Sequence, residues 1–395
     1  MLNSVFNCTY SIIFVKIRYS LRHFFSYARL KNNMPRIHPN IETFARIKVV
    51  GVGNSGTNSV NHMVKSKVDG IEFIVIDTDA QKLHFSSAPK KIHIGKNLTR
   101  GLGGGMNPEV GKQAAEETKE EIQEILKGAD MIFISSGFGG ATGTGAAPVV
   151  ARIAKDLGIL TIGVVTKPFS FEGTQRARIA DIGLSNFKNA VDAMIVISND
   201  RILDLVEKET TFLSAFAMCN EVLRQAVEGI SDLITKPGII NVDFADIRAI
   251  MQNAGSALMG IGKAKGQNRA SEAAQRAINS PLLDLAINGA KGVLFAVSGG
   301  EDVTMSEIQE AADIITNSID SEAKIIFGAI KDDSLRKNEI KITVVASGFP
   351  ENKNGGRKPK APEKIEEKEE KKEKEVEKEN NEEWDSVPAF LRRKK

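Results

Sequence analysis

Short apolar runs alternate with segments of helical period through the first half of the chain. Arg46-Ile-Lys-Val-Val-Gly51 is brief, β-branched and ended by glycine, so it predicts a buried strand. A helical segment follows at Asn58–Lys67, then a strand at Phe73–Asp77 and a helix over Pro108–Leu126. The alternation continues with a strand at Met131–Ser136, a helix at Ala147–Leu157 and a strand at Leu160–Thr166. It closes with a helix at Gln175–Asn189 and a strand at Met194–Ser198. Strands alternating with helices predict an α/β fold with a Rossmann-like parallel sheet covered on both faces.

The pattern changes after residue 208. Residues 209–236 carry Phe212, Leu213, Phe216, Val222, Leu223, Ala226, Ile230 and Leu233 at helical spacing and stop at Pro237-Gly238. This predicts one long helix through the middle of the molecule. Beyond it the expected strands are Gly292–Ser298, Lys324–Ile330 and Ile340–Ser347. Helices are expected at Asp243–Met251, Ala270–Ile278 and Met305–Ser318. Two strands in succession at the end make this second unit α+β rather than doubly wound.

Charge divides the chain further. The formal net charge is +3, but the first 33 residues hold +5 with no acid before Glu42, and residues 384–395 hold another +3. Residues 351–383 hold −2, which leaves −3 on residues 34–350. That slightly acidic body excludes a chain-wide nucleic-acid footprint, because phosphate-backbone binding needs clustered Lys and Arg. No apolar run approaches the length of a membrane span. Cys8 and Cys219 are too few for a disulfide framework or a zinc site and suit a reducing compartment.

The two ends carry different expectations. Residues 1–33 hold all three tyrosines and are read as an unstructured extension or a non-native leader, with Met34 the expected start. A transit peptide and a membrane-surface helix are the alternatives. Residues 351–383 have only Ala361, Ile365 and Val376 as apolar anchors and are expected to be a disordered charged linker. As a coil it would span roughly 30 Å.

The chemistry concentrates in three glycine loops. Gly51-Val-Gly-Asn-Ser-Gly56 follows a strand and opens a helix, with Asp77 at the end of the next strand. Alone, this fits an NAD-dependent oxidoreductase, whose glycines admit a pyrophosphate and whose acid binds a ribose. Gly101-Leu-Gly-Gly-Gly105 and Gly137-Phe-Gly-Gly-Ala-Thr-Gly-Thr-Gly145 also precede helices. Free N–H groups and the helix dipole favour anions at such junctions. Three loops suit a triphosphate better than one diphosphate, and the absence of G-x-x-x-x-G-K-[ST] excludes a Walker A site.

The stretch Gly139-Gly-Ala-Thr-Gly-Thr-Gly145 resembles the signature loop of the tubulin/FtsZ superfamily. Residues 35–349 and the extreme C-terminus resemble its FtsZ branch of bacterial cell-division GTPases. The first two glycine loops, Thr166-Lys-Pro-Phe-Ser-Phe-Glu-Gly173, Asn241-Val-Asp-Phe-Ala-Asp246 and Val387-Pro-Ala-Phe-Leu-Arg392 carry that likeness. It implies a GTP-binding domain over residues 34–208, a central helix over 209–236 and a C-terminal α+β domain over 237–350. A partner-binding peptide over 384–395 would complete the chain.

Site roles follow from the resemblance. Gly53, Asn54, Ser55, Gly56, Thr57, Asn58, Gly103, Gly104, Gly105, Gly140, Ala141, Thr142 and Gly143 would surround the phosphates. Glu172 and Arg176 would contact the ribose region, and Phe216 would stack on guanine while Asn199 and Asn220 bond its edge. Phe216 and Asn220, four apart, share one helix face, and an aromatic with an amide suits a purine. Ala141 stands where the loop usually has a third glycine; its Cβ would be strained at positive φ.

Asn241, Asp243 and Asp246 would be the catalytic residues, positioning water at the γ-phosphate of the neighbouring subunit. From position alone, Asp243 is also expected to be a helix N-cap. Phosphoryl transfer has a loose transition state, so positioning matters more than a strong base. Mg²⁺ would be held mainly by phosphates and water, with no dedicated protein metal site. A site split between subunits implies a head-to-tail homopolymer. Val387, Pro388, Phe390, Leu391 and Arg392 would dock on a membrane-anchoring or regulatory division protein, placing a cytoplasmic filament beneath the membrane at the division site. A relative that polymerises without turnover is a further alternative.

Overall fold

The computed structural model describes residues 45–203, 210–236, 238–280, 289–332 and 335–350. The first half runs β1 (Ile47–Val52), α1 (Gly53–Lys65), β2 (Ile71–Asp77), α2 (Ala80–Phe85), β3 (Lys90–His93), α3 (Lys96–Thr99), α4 (Pro108–Glu117) and α5 (Lys119–Leu126). It continues with β4 (Met131–Gly137), α6 (Thr142–Asp156), β5 (Leu160–Lys167), α7 (Thr174–Lys188), β6 (Ala193–Ser198) and α8 (Asn199–Leu203). The long helix is α9 (Phe212–Thr235). After it come β7 (Gly238–Ile240), α10 (Phe244–Met251), β8 (Gly255–Lys265), α11 (Arg269–Ile278), β9 (Gly292–Gly299), α12 (Met305–Thr316), β10 (Lys324–Lys331) and β11 (Glu339–Ser347).

The strands form one sheet of order β3-β2-β1-β4-β5-β6-β8-β11-β9-β10-β7. From β3 to β6 every pairing is parallel. Alternate residues of each strand face opposite sides. Val49, Val75, Phe133 and Ile162 therefore join one core with Val60 and Met63 of α1 and Leu223, Val227 and Ile230 of α9. Val50, Ile74, Ile132 and Ile134 join another with α4–α7, through Ala114, Ile122, Val150 and Phe187. Burial on both faces explains why these strands read as unbroken apolar runs.

The C-terminal strands are mixed. β11 lies antiparallel between β8 and β9, β9 and β10 are parallel, and β7 closes the edge antiparallel to β10. Their outer core is filled by Ala270, Ala273, Ala274 and Ala277 of α11 with Ile308 and Ile315 of α12. The core under α9 also takes in Met259, Leu294, Ala296 and Ile330, so this helix packs against both halves.

Three features differ from the sequence expectation. The helix expected over 108–126 breaks at Thr118, with φ −107° and ψ 20°. Its hydroxyl donates to the Ala114 carbonyl (3.2 Å) and accepts from the Gly95 N–H (3.4 Å), so the side chain competes with the helix. Helices α1 and α6 begin inside their glycine loops, at Gly53 and Thr142, earlier than the apolar pattern suggests. Strands β3, β7 and β8 were not anticipated. In the eleven residues of β8 only Ile261 is β-branched. Its pairing with β6 (Ala193↔Gly255 to Ile195↔Ala257) and along β11 makes it a strand despite that composition.

Candidate active site at the carboxyl ends of the parallel strands

In an open parallel sheet ligands bind beyond the carboxyl ends of the strands, where the strand order reverses. Here that point lies between β1 and β4. Residues at or just after the ends of β2, β4, β5 and β6 (Asp77, Gly137, Thr166 and Asn199) line a cavity of about 490 Å³. Asn54, Ser55 and Asn58 of α1 line it as well.

The three glycine loops meet here because the backbone braces them. Ser136 Oγ donates to the Val52 carbonyl (3.0 Å), tying the end of β4 to the first loop. Gly53 has φ +73°, and a Cβ built on it would lie 2.9 Å from the Gly143 nitrogen, so loops one and three pack backbone to backbone. The second loop is held by Ala80 N–H to the Gly101 carbonyl (3.2 Å) and by contact with Ala141. A Cβ on Gly104 would meet the Ala141 Cβ at 2.5 Å. Ala141 itself has φ −74°, so its methyl is unstrained and fills space that Gly104 leaves. Thr144 Oγ1 accepts the Gly139 N–H (2.9 Å) inside loop three.

Most of the residues assigned to GTP lie together. Asn54, Ser55, Asn58, Gly103, Gly104, Gly105, Gly140, Ala141, Thr142, Gly143, Glu172, Arg176, Asn199, Phe216 and Asn220 all line the cavity. Gly53, Gly56 and Thr57 do not; they are buried beneath it, at the strand–helix contact. Phe216 is half-buried and meets the fully buried Phe169 edge to face (centroids 5.1 Å, 70°). Arg176 Nη1 pairs with Glu172 Oε2 at 2.9 Å, while Glu172 Oε1 accepts the Phe169 N–H. The pair is therefore a wall of the cavity as well as an i,i+4 contact.

Sequence reasoning named Asp77 only for the oxidoreductase alternative and missed the rest of one element of the site. Asp77, Thr78 and Asp79, the turn after β2, line the cavity together. Thr78 Oγ1 shares a hydrogen bond with Thr142 Oγ1 (2.7 Å), and Asp79 caps α2 by accepting from Gln81 and Lys82 N–H. Their place at a carboxyl end of the sheet was the available signal. Burial pushes the Asp77 carboxyl up to about 6, although the Asp79 and Thr78 amides pull the other way. Leu213, Cys219 and Leu223 of α9 also line the cavity and were not assigned to it. Burial raises the Cys219 thiol to about 11, which keeps it protonated near neutrality.

Asn241, Asp243 and Asp246 stand apart: all three are exposed, and none lines the cavity. Asn241 Oδ1 accepts the Gly238 N–H at 2.7 Å and pins the loop. Asp243 occupies the N-cap position of α10, but its side chain makes no cap hydrogen bond, contrary to the expectation from position. Val387, Pro388, Phe390, Leu391 and Arg392, with residues 1–33 and 351–383, fall outside the described residues.

Known proteins share this arrangement. Residues 46–207 match the Tubulin/FtsZ family, GTPase domain, and residues 255–350 match the FtsZ family, C-terminal domain. An empty FtsZ dimer from M. jannaschii is 45% identical, with TM-score 0.74 over 78% of this chain and 89% of that one. The chain belongs to the FtsZ family. It is accordingly a GTPase. A mutant FtsZ from M. jannaschii is similar at 45% identity and TM-score 0.75, covering 78% of this chain and 92% of that one. CetZ2 from Haloferax volcanii, a GTPgS-bound protofilament, shares the fold at 18% identity and TM-score 0.66 over 78% of this chain and 94% of that one. Nothing supports the oxidoreductase alternative, because the family is a GTPase family. Among the described residues no helix is long and apolar enough to cross a membrane.

Proposed function

We propose that the cavity binds GTP and that hydrolysis requires a second copy of the chain, stacked head to tail, to bring Asn241, Asp243 and Asp246 to the γ-phosphate. The observation that carries this reading is the separation of the two residue sets. Most of the assigned binding residues line one cavity, while the three assigned to catalysis are exposed between β7 and the first turn of α10 and absent from its lining. The fold leaves one half-site at each place, and a contact that joins them repeats without closing into a filament. The FtsZ dimer and the CetZ2 protofilament among the similar structures are consistent with such stacking.

The roles divide accordingly. N–H groups at the starts of α1 and α6, with the Gly103–Gly105 segment, meet the phosphates. Phe216 stacks on guanine, Asn199 and Asn220 bond its edge, and Glu172 with Arg176 meets the ribose region. In the neighbour, Asp246 and Asp243 orient the attacking water and Asn241 holds the loop that presents them. The charged residues lining the cavity are three acids, Asp77, Asp79 and Glu172, and one base, Arg176, so the phosphates need added positive charge. Mg²⁺ suits this, held mainly by phosphate oxygens and water, since no group of three His, Cys, Asp or Glu among the described residues is placed to cage it. Bound there, it would offset phosphate charge as the γ-phosphoryl leaves.

The remaining assignments extend this reading. Residues 34–208, 209–236 and 237–350 act as GTP domain, central helix and C-terminal domain. Residues 351–383 tether the peptide at 384–395 to a division partner, which holds the filament in the cytoplasm beneath the membrane.

Mixing two inactive variants tests the shared site. Asp246→Ala keeps its cavity, and a Phe216→Ala/Asn220→Ala double variant keeps its loop. Together they should recover GTP turnover that neither shows alone, and turnover per subunit of the unaltered protein should rise with concentration. Loss of GTP binding by Asp246→Ala, or no recovery on mixing, would refute it.

A further inference from the structure

Asp77 is a buried carboxylate in the wall of the nucleotide cavity, only 3% exposed. Its Oδ1 accepts the backbone N–H groups of Thr78 (2.7 Å) and Asp79 (3.2 Å). Its Oδ2 is sealed from solvent and has no hydrogen-bond partner among the described residues. An ionised carboxylate accepts on both oxygens, and burying one with an unmet oxygen is costly. The charged groups around the turn do not relieve this. Asp79 opposes ionisation and Lys82 favours it, but neither bonds Oδ2. His93 of β3 donates to the Thr78 carbonyl (3.3 Å), and Glu172 and Arg176 pair with each other. Through Thr78 and Ala80 the same turn bonds to the third and second glycine loops, so the state of Asp77 bears on the phosphate cradle.

An anionic ligand entering this cavity adds several negative charges close to a carboxylate already reluctant to ionise. Like charges in one low-dielectric site favour the protonated form of the weaker acid. We propose that Asp77 is a proton-coupled positioning residue, taking up one proton from solvent when a guanine nucleotide fills the cavity and giving it back when the nucleotide leaves. The proton goes to the carboxyl group and no bond of the nucleotide changes. Neutral Asp77 keeps its Oδ1 acceptor for the turn and removes a negative charge from the wall that faces the phosphates. The direction agrees with the carboxyl already raised by burial.

The inference rests on the cavity being the GTP site. The test is calorimetric titration of the full chain with GDP, from pH 6 to 8, in buffers of differing ionisation enthalpy. Wild type is compared with Asp77→Asn, which keeps an oxygen acceptor and cannot ionise. The terminal phosphate of GDP titrates in this range and contributes alike to both proteins, so their difference isolates Asp77. Wild type should take up more protons than the variant, and its affinity relative to the variant should fall as pH rises, by up to about tenfold per unit. Equal uptake by the two proteins would overturn the proposal. So would loss of GDP affinity in Asp77→Asn at every pH, since a bridging cation would then be what needs the charge. If the variant does not fold, infrared difference spectra of the wild type decide: GDP must raise the carboxylic-acid C=O band, and its absence refutes the coupling. Failure of the site reading looks different, as unchanged GDP affinity in Phe216→Ala and Asn220→Ala.

Discussion

The glycine-loop cradle proposed for the phosphates and the 238–246 segment are built in opposite ways. The cradle is over-determined: the first and third loops pack backbone to backbone, the second rests on the Ala141 methyl, and hydrogen bonds from Ser136, Thr78 and Ala80 tie them together. The 238–246 segment, running from β7 into the first turn of α10, turns Asn241, Asp243 and Asp246 outward; the pairing of β7 with β10 and one side-chain bond from Asn241 hold it. A binding site gains from preorganisation, because ordering its parts then costs nothing at the moment of binding. Residues meant for a site on another molecule must stay exposed until that molecule arrives. On the proposed reading, rigidity belongs to the half that binds, and accessibility to the half that completes.

The sharpest way to separate the halves is Asp246→Ala. Turnover should fall about 100- to 1,000-fold while GDP affinity, read by calorimetry, stays within error. A matching loss of affinity would merge the halves into one pocket. The reverse break is Gly145→Ala in α6. Alanine normally favours a helix, but a Cβ at Gly145 would lie 1.9 Å from the Pro108 carbonyl and 2.7 Å from the Lys112 nitrogen. Overpacking should therefore win, costing about 3 kcal/mol in denaturant unfolding and weakening nucleotide binding through α4 and the loop before it. An unchanged midpoint would show that α4 yields easily.

Asp77→Asn sharpens the cradle side with a pH signature. The folded carboxyl at about 6 lies above its ordinary 3.8. The stability it contributes is therefore fully present below about 3.8 and is lost as pH rises through about 6. Removing the ionisable group should stabilise the protein by about 3 kcal/mol at pH 7.5 and by little at pH 4. A gain that does not depend on pH would rule out ionisation as its source. The smallest effect is expected for Asn241→Ala, about 1 kcal/mol from the lost bond to Gly238. Thermal unfolding should barely move, and turnover should drop without loss of GDP binding.

Local pattern exposed most of the parallel half. β1 and β4 bury every residue or nearly so, and their mostly apolar, short sequences announce it, although β1 also carries Lys48 and β4 ends in Ser135-Ser136-Gly137. It failed at β8, whose glycines and alanines look like a loop until β6 and β11 supply partners, and at Thr118, where a helix ends within a charged segment whose helical pattern continues. Within the site, Asn54, the glycines and Phe216 could be named from motifs. The role of Thr78 depends on Thr142, 64 positions away, and no local pattern encodes that pair.

Sequence by itself determined the family, the alternation of strands and helices in the parallel half and the residue types proposed to meet a nucleotide, because glycine at a helix start and apolar periodicity act over a few residues. Only the tertiary structure decided that Gly56 and Thr57 lie beneath the cavity rather than in its wall, that Ala141 is relaxed, and that Asp77 is buried with one oxygen unmet. These are outcomes of desolvation and close approach between distant segments, and neither can be evaluated until the chain has packed.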